Sequence, residues 1–255
     1  MTHTQMVVGV LVGFVAGLMS GLFGVGGGIV TTPAIQVLLG GAPYVAIGTP
    51  LPVIFPTALV GAFTYQRAGE VSMRAAAWAA GPGVLGAIGG AALTAVVNPH
   101  WLLLVTALLI GWQAVRVARA KEYRIRPRGT TSGWSYALLG LFTGFVSGLL
   151  GIGGGIVFVP IVTTVLGMPL KRALGTSLVV IAAIAIPGTI VHAALGHIDW
   201  AIFGVLLIGV IPGARLGANL ALGVRERTLR ILVGIFLFAV AIAYGVEEMA
   251  TLVRG

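Results

Sequence analysis

Long, nearly uncharged apolar runs constrain this chain more than any other feature of its sequence. Six of them have roughly 16 to 23 residues, the length that a helix needs to cross about 30 Å of hydrocarbon. They cover residues 47–66, 75–97, 101–118, 174–192, 200–222 and 231–246. With 58% hydrophobic and 8% charged residues, the chain lacks the polar side chains that a water-facing surface requires. We therefore expect an all-α, polytopic bundle of transmembrane helices.

A glycine-rich segment occurs twice, and its two copies define the domain organisation. Residues 20–33 return as residues 147–160, shifted by 127 positions, and ten of the 14 positions are identical. The same shift relates Gly48-Thr49 to Gly175-Thr176. We interpret residues 1–119 and 134–255 as two related transmembrane repeats, joined by a basic linker at residues 120–133 on the cytoplasmic side.

The positions of the basic residues indicate orientation and argue against nucleic-acid binding. The formal net charge is +9, but Lys and Arg lie mainly in short loops between apolar runs, where they set topology. Suppose that each glycine segment, residues 6–40 and 134–167, enters and leaves the membrane on one side as two half-helices, and that three crossings follow it. Every basic residue except Arg215 and Arg254 is then cytoplasmic, and each repeat crosses an odd number of times. We therefore expect two inverted repeats.

The two glycine clusters predict a helix that is broken inside the membrane. The clusters contain Gly26, Gly27, Gly28, Gly153, Gly154 and Gly155. Each mid-helix glycine costs about 1 kcal/mol relative to alanine, so adjacent glycines interrupt the helix. The second half-helix then presents unpaired N–H groups and a positive dipole end to an anion. We expect both ends to converge on one midplane site, to which the hydroxyls of Thr49, Thr176 and Ser177 add donors.

Isolated glycines in the spans have a different expected role. Small residues let transmembrane helices approach closely, so we assign Gly86, Gly89 and Gly90 to helix packing. The repeated clusters do not fit that role equally well, because three adjacent glycines do not form one helix face.

Two ionisable residues inside predicted spans are further candidates, because charges in a membrane are costly. The guanidinium of Arg215 suits the oxygens of a small oxyanion, although this side chain can also extend to the cytoplasmic interface without binding substrate. His192 is a candidate carrier of a coupling proton, and an interfacial histidine without a transport role is the alternative.

The doubled Ser-Gly-Leu-x-Gly-x-Gly-Gly-Gly-x-x-x-x-Pro pattern resembles the TauE/SafE family of membrane permeases. An Ala-x-Gly-Thr sequence follows each copy, at residues 46–49 and 173–176, as it does in that family. The resemblance implies an anion permease of the bacterial inner membrane, acting on sulfite, sulfoacetate or a related organosulfonate. The two halves differ where Pro50, Pro52 and Pro56 correspond to Ser177, Val179 and Ala183, so a shared site would not be chemically symmetric.

The expected function is that of a secondary transporter that exports a small sulfur-containing anion. An anion channel and a membrane assembly factor remain alternatives. An intramembrane enzyme is disfavoured, because no Asp or Glu lies mid-span and the four histidines lack ligand-like spacing. We expect no cofactor and no metal. The expected partners are the anion, the lipid bilayer and, in a homodimer, a second copy of the chain, with no nucleic acid.

Overall fold

The computed structural model describes residues 3–119 and 132–225, together with residues 228, 231, 232 and 235. These parts of the chain are helical and contain no strand. The helices are α1 (His3–Phe23), α2 (Gly28–Val37), α3 (Pro43–Gly48), α4 (Pro50–Arg67), α5 (Met73–Leu93), α6 (Pro99–Arg119), α7 (Gly133–Leu150), α8 (Gly155–Thr164), α9 (Leu170–Ala194) and α10 (Trp200–Gly223). Most of the predicted linker and most of the predicted span at 231–246 lie outside the described residues.

Six stretches of the described chain are long and apolar enough to cross a membrane. They are α1, the pair α3–α4 taken together, α5, α7, α9 and α10. Four of them confirm predicted spans, and the span predicted at 101–118 lies within α6. Their outward side chains are apolar, as at Leu85, Ile190 and Ile208, which are 64 to 68% exposed. Hydrocarbon is the solvent that such a surface fits. The chain is therefore a multi-pass membrane protein.

The prediction of two half-helices in each glycine segment was wrong for the first arm. Helix α1 has 21 residues and α7 has 18, against ten each for α2 and α8. At 1.5 Å per residue, α1 is about 31 Å long and α2 about 15 Å. The glycines ahead of Gly24 and Gly151 are spaced four residues apart and not adjacent, so they do not interrupt the helix, and the first arm of each hairpin has the length of a full span.

Closely packed pairs of parallel helices join the two repeats. Gly13, Gly17 and Gly21 of α1 contact α10 at Leu206, Val210 and Ala214 in the same order, so α1 and α10 run parallel. Glycines of α7 meet α5 in the same way. Because glycine has no side chain, the backbones of the two helices touch along each pair.

The predicted packing role holds for two of the three isolated glycines. Gly86 and Gly90 of α5 face the backbone of α7, whereas Gly89 faces open space. The helix period accounts for the difference, because a residue one position before Gly90 points about 100° away from the contact.

Helices α4 and α9 pack against each other at the centre and run antiparallel. Leu51 contacts Gly188 near one end of the pair, and Gly61 contacts Leu178 near the other. The two helices occupy corresponding positions of the sequence repeat. Repeat one differs locally, because Pro50 lacks the N–H that a continuous helix needs and α3 ends at Gly48. Ser177 occupies the corresponding position in α9, which continues without interruption.

Candidate functional site

Both glycine clusters break their helices, as predicted. Helix α1 ends at Phe23 and α2 begins at Gly28, and the corresponding gap separates Leu150 from Gly155. Three glycines in each gap have positive φ, between 64 and 87°, a conformation that other residues adopt only under strain. They are Gly24, Gly26 and Gly27 in repeat one and Gly151, Gly153 and Gly154 in repeat two. The breaks are buried within the protein.

The two breaks lie against each other in the interior. A Cβ atom placed on Gly26 would be 3.4 Å from the Cα atom of Gly153. Gly28 faces the backbone of Ile152, and Gly155 faces that of Val25, which is the same contact after a shift of 127 residues. We expected the helix ends to converge on one pocket. In the structure the two breaks do come together, and their backbones touch because glycines leave no side chains to hold them apart.

Each short arm begins its regular helical hydrogen bonding directly after its break. The N–H groups of Val30 and Thr31 donate to the Gly27 carbonyl oxygen at 3.0 and 3.2 Å, so the regular bonding of α2 starts there. The N–H groups ahead of them have no acceptor within the helix. Helix α8 also starts on the carbonyl oxygen before it, that of Gly154, and its first N–H group, that of Gly155, donates to the Gly153 carbonyl oxygen at 2.8 Å. The positive dipole ends of both short arms therefore lie at the breaks.

Among the predicted hydroxyl donors, only Ser177 reaches a glycine cluster. Its hydroxyl donates to the Gly24 carbonyl oxygen at 2.6 Å and to the Leu174 carbonyl oxygen at 2.9 Å. The hydroxyls of Thr49 and Thr176 accept hydrogen bonds from backbone N–H groups. Their hydroxyl oxygens bind the N–H groups of Asp199 at 3.0 Å and Ser72 at 2.9 Å, and so hold the loops that precede α10 and α5.

His192 is fully buried and hydrogen-bonded at both ring nitrogens. Its Nε2 lies 2.9 Å from the Gly148 carbonyl oxygen, and its Nδ1 lies 3.2 Å from Nδ1 of His197. A donating Nε2–H leaves Nδ1 of His192 as the acceptor for an N–H of His197. His197 lies in the loop after α9, stacked on Tyr44 at 4.6 Å, and burial lowers the pKa of its imidazole.

Sequence reasoning missed Tyr65, which is the counterpart of His192. The Tyr65 hydroxyl donates to the Gly21 carbonyl oxygen at 3.0 Å, and both residues of this pair are shifted by 127 positions from His192 and Gly148. In each repeat a ring on the central helix therefore binds the last turn of the long arm, just before the break. Applying the repeat shift to His192 would have revealed this residue.

Arg215 does not join the glycine clusters in this structure. Its side chain is exposed, whereas its neighbours Gly213 and Gly217 are buried against α1. It therefore lies on the outward face of α10.

Four buried hydroxyls near the breaks were also missed. Ser20, Thr32, Thr143 and Ser147 are buried, and none of their side-chain oxygens has a hydrogen-bond partner. Ser20 and Ser147 occupy the same position of the repeated motif, and this repetition could have revealed them in the sequence.

Comparison with known proteins identifies the family. The family described as sulfite exporter TauE/SafE matches residues 9–244. The chain belongs to the TauE/SafE family. A probable membrane transporter protein of Xylella fastidiosa (strain Temecula1 / ATCC 700964) is 31% identical to it, over 99% of this chain and all of the relative. The probable membrane transporter protein YunE of Bacillus subtilis is 28% identical, covering 91 and 94% of the two chains.

A third relative comes from a different organism. The probable membrane transporter protein MJ0441 of Methanocaldococcus jannaschii is 26% identical to this TauE/SafE protein, over 88% of this chain and 89% of the relative. No solved structure matches the chain. The family and these relatives are transporters and not enzymes, so this TauE/SafE protein is a membrane transporter.

Proposed function

We propose that this protein is a secondary transporter that exports a small sulfur-containing anion, such as sulfite or an organosulfonate resembling sulfoacetate. The buried meeting of the two glycine breaks carries the proposal. The positive dipole end of a helix N-terminus attracts oxyanions, and glycine lets an anion approach the backbone. The family description supports sulfite as the first substrate to test.

The proposed architecture is a pair of inverted repeats, residues 1–119 and 134–255, on either side of the linker. The antiparallel packing of α4 against α9 supports it, as do the reciprocal contacts between the two breaks. Inverted repeats with broken helices near the membrane centre are a common design of secondary transporters.

We propose a bacterial inner-membrane location with the linker side in the cytoplasm. Several basic residues in the described part of the chain lie close together in loops and helix ends on one side of the molecule. The Ser72–Thr176 hydrogen bond brings the loop between Arg67 and Arg74 to the start of α9, which carries Lys171 and Arg172. Lys171 Nζ in turn donates to the Leu222 carbonyl oxygen at 2.6 Å, at the end of α10. Clustering of positive charge on one side favours the cytoplasm.

Separate roles are proposed for the two ionisable candidates. We propose His192, paired with His197, as the carrier of a coupling proton, because its Nδ1 lies 3.2 Å from a ring nitrogen of a second imidazole. For Arg215 we propose an interfacial position, with the guanidinium extended toward the cytoplasmic surface, because its side chain is exposed on α10.

Flux measurements in vesicles test the function. Purified protein reconstituted into liposomes should take up sulfite with saturable kinetics, and internal unlabelled sulfite should accelerate uptake of labelled sulfite by counterflow. Non-saturating flux without counterflow would indicate the anion channel. Absence of flux for sulfite and sulfoacetate, with folded protein in the vesicles, would favour a membrane assembly factor and contradict the proposal.

A further inference from the structure

We propose that a groove between α5 and α7 binds one phospholipid with an anionic head group, taken from the leaflet on the side of the linker. The groove is an open cavity of about 400 Å³ on the outward surface of this helix pair. We call it the α5–α7 groove, and residues that line it include Leu85, Gly86, Gly89, Leu138, Phe142 and Phe145. This partner is not the transported anion, so the inference stands or falls separately from the proposed function.

Glycines on one helix and large side chains on the other create the groove. Gly86 faces the carbonyl of Leu141, so the two helix backbones touch. Gly89 points outward with no atom near it and fills no space. Across from these glycines, Leu138 and Phe142 are each more than half exposed and form the opposite wall. An acyl chain fits this apolar lining, whereas a charged group would lose its hydration there without compensation.

One end of the groove continues into aromatic and basic side chains. Trp78 of α5 and Trp134 of α7 lie beside each other, with ring centroids 6.2 Å apart, and both are exposed. Arg74 precedes Trp78 by one helical turn and is also exposed. Tryptophan is typical of the head-group level of a membrane, and arginine of its cytoplasmic surface. The order of basic, aromatic and apolar side chains therefore matches the head group, interface and acyl chain of one lipid.

The same face of α5 carries the whole series. Arg74, Trp78, Leu85 and Gly89 are spaced so that, at about 100° per residue, they lie within about 60° of one another around the helix. Fifteen residues separate Arg74 from Gly89, a distance of about 22 Å at 1.5 Å per residue. Half of a bilayer with its head groups is about 20–22 Å thick. The series is therefore as long as one lipid in one leaflet.

The symmetry-related helix pair lacks the basic end. Helix α10 begins 127 residues after α5, and the exposed Ala201 stands where α5 has Arg74. An anionic head group would find no opposite charge at that position. We therefore expect one tightly held anionic lipid for each protein molecule, on the linker side only.

Charge also disfavours a second copy of the chain as the occupant of the groove. A twofold axis along the membrane normal would place the same ends of both copies together. Two copies of Arg74 would then lie at one interface, where like charges repel. An anionic lipid instead supplies the opposite charge.

Native mass spectrometry of the full-length protein in detergent tests the groove, with phosphatidylglycerol and phosphatidylcholine of identical acyl chains as probes. Gly89→Leu places a side chain in the groove and should weaken binding of the first lipid of both kinds about tenfold, as expected when about two methylene groups lose their contacts. Phe142→Ala removes an exposed part of the wall and should act in the same direction. Gly204→Leu is the matched control, because Gly204 is an exposed glycine of α10 that also has no atom within 4 Å.

Head-group selectivity is the second readout. The parent should bind phosphatidylglycerol about fivefold more tightly than phosphatidylcholine, as expected for one basic contact with an anionic lipid. Arg74→Gln should abolish this preference and leave phosphatidylcholine binding unchanged. Arg67→Gln is the matched control, because it removes the same charge on the linker side, where Arg67 lies over the ring of Phe63 at 4.3 Å.

Two results would overturn the inference. The first is equal affinity of the parent for both lipids, together with lipid binding in Gly89→Leu and Phe142→Ala that matches Gly204→Leu. The second is a dimeric particle that Gly89→Leu converts to a monomer, which would assign the α5–α7 groove to a second copy. Sulfite transport is not measured in either experiment, so neither result bears on the proposed function.

Discussion

At the scale of single residues, the glycines in the breaks have two separable properties. Their positive φ excludes side chains on conformational grounds, and their neighbours exclude side chains on steric grounds. Gly154 combines both, with φ 68° and Thr143 close by, whereas Gly196 has φ 72° and no atom within 4 Å. Substitutions at Gly154 and Gly196 can therefore distinguish the cost of backbone strain from the cost of crowding.

Gly154→Ala should destabilise the protein more than Gly196→Ala. The second substitution costs only the left-handed strain of about 1 kcal/mol, and the first adds crowding of about 1–3 kcal/mol. Thermal midpoints of the two purified variants, followed by tryptophan fluorescence, provide the comparison. Equal midpoints would show that the contact with Thr143 relaxes freely.

Stability should fall on acidification through the ordinary pKa of histidine, partly because of His197. Burial lowers its pKa in the folded protein, so the unfolded state takes up the proton first as the pH falls. Above about pH 6.5 both states are neutral at this site and the effect disappears. The difference between midpoints at about pH 7.5 and about pH 5.5 should shrink in His197→Gln.

His3→Gln is the control for this prediction, because His3 is exposed in the first turn of α1. It should leave the pH-dependent difference in midpoint unchanged. If His197→Gln showed the same difference between its midpoints at the two pH values as the parent, other groups would account for the acid sensitivity.

At the scale of helices, sequence patterns predicted where helices break better than which distant segments contact them. The glycine clusters predicted the breaks between Phe23 and Gly28 and between Leu150 and Gly155, because local conformational preference decides them. The length of the first arms was missed, because apolar sequence alone does not say where a hairpin turns. The acceptor role of Thr49 and Thr176 was not predicted, because it depends on loops about 100 to 150 residues distant.

Gly86→Ala should destabilise the α5–α7 pair, and Gly89→Ala should not. A Cβ atom on Gly86 would collide with the backbone around Leu141, whereas Gly89 has no atom within 4 Å. Overpacking of this kind costs about 1–3 kcal/mol. Size-exclusion profiles after heating compare the two variants directly. If Gly89→Ala lost as much folded protein on heating as Gly86→Ala, another surface, such as that of a second subunit, would have to pack against Gly89.

At the scale of the whole molecule, the proposed inversion places corresponding residues of the repeats on opposite sides of the membrane. Ala42 and Pro169 are such a pair, separated by the repeat shift and each preceding a helix as its N-cap. Both are exposed, whereas the neighbouring Met168 is buried and unsuitable as a probe. The natural chain has no cysteine, so single-cysteine variants need no altered background.

In intact cells, a membrane-impermeant thiol reagent should label Ala42→Cys and leave Pro169→Cys unlabelled. Permeabilised cells should give labelling of both, which shows that each cysteine is reachable from its own side. Labelling of both in intact cells would place the two positions on one face and contradict the inverted arrangement.

The pairing of α1 with α10 has a consequence for how the protein is made. The glycine face that begins at Gly9 meets α10 at Val205, about three-quarters of the chain later. At about 5–20 residues per second, a ribosome needs roughly 10 to 40 s to synthesise that intervening stretch. Throughout this interval the first helix lies in the bilayer with its contact face open to lipid or to an insertion chaperone, and assembly finishes only near the end of translation.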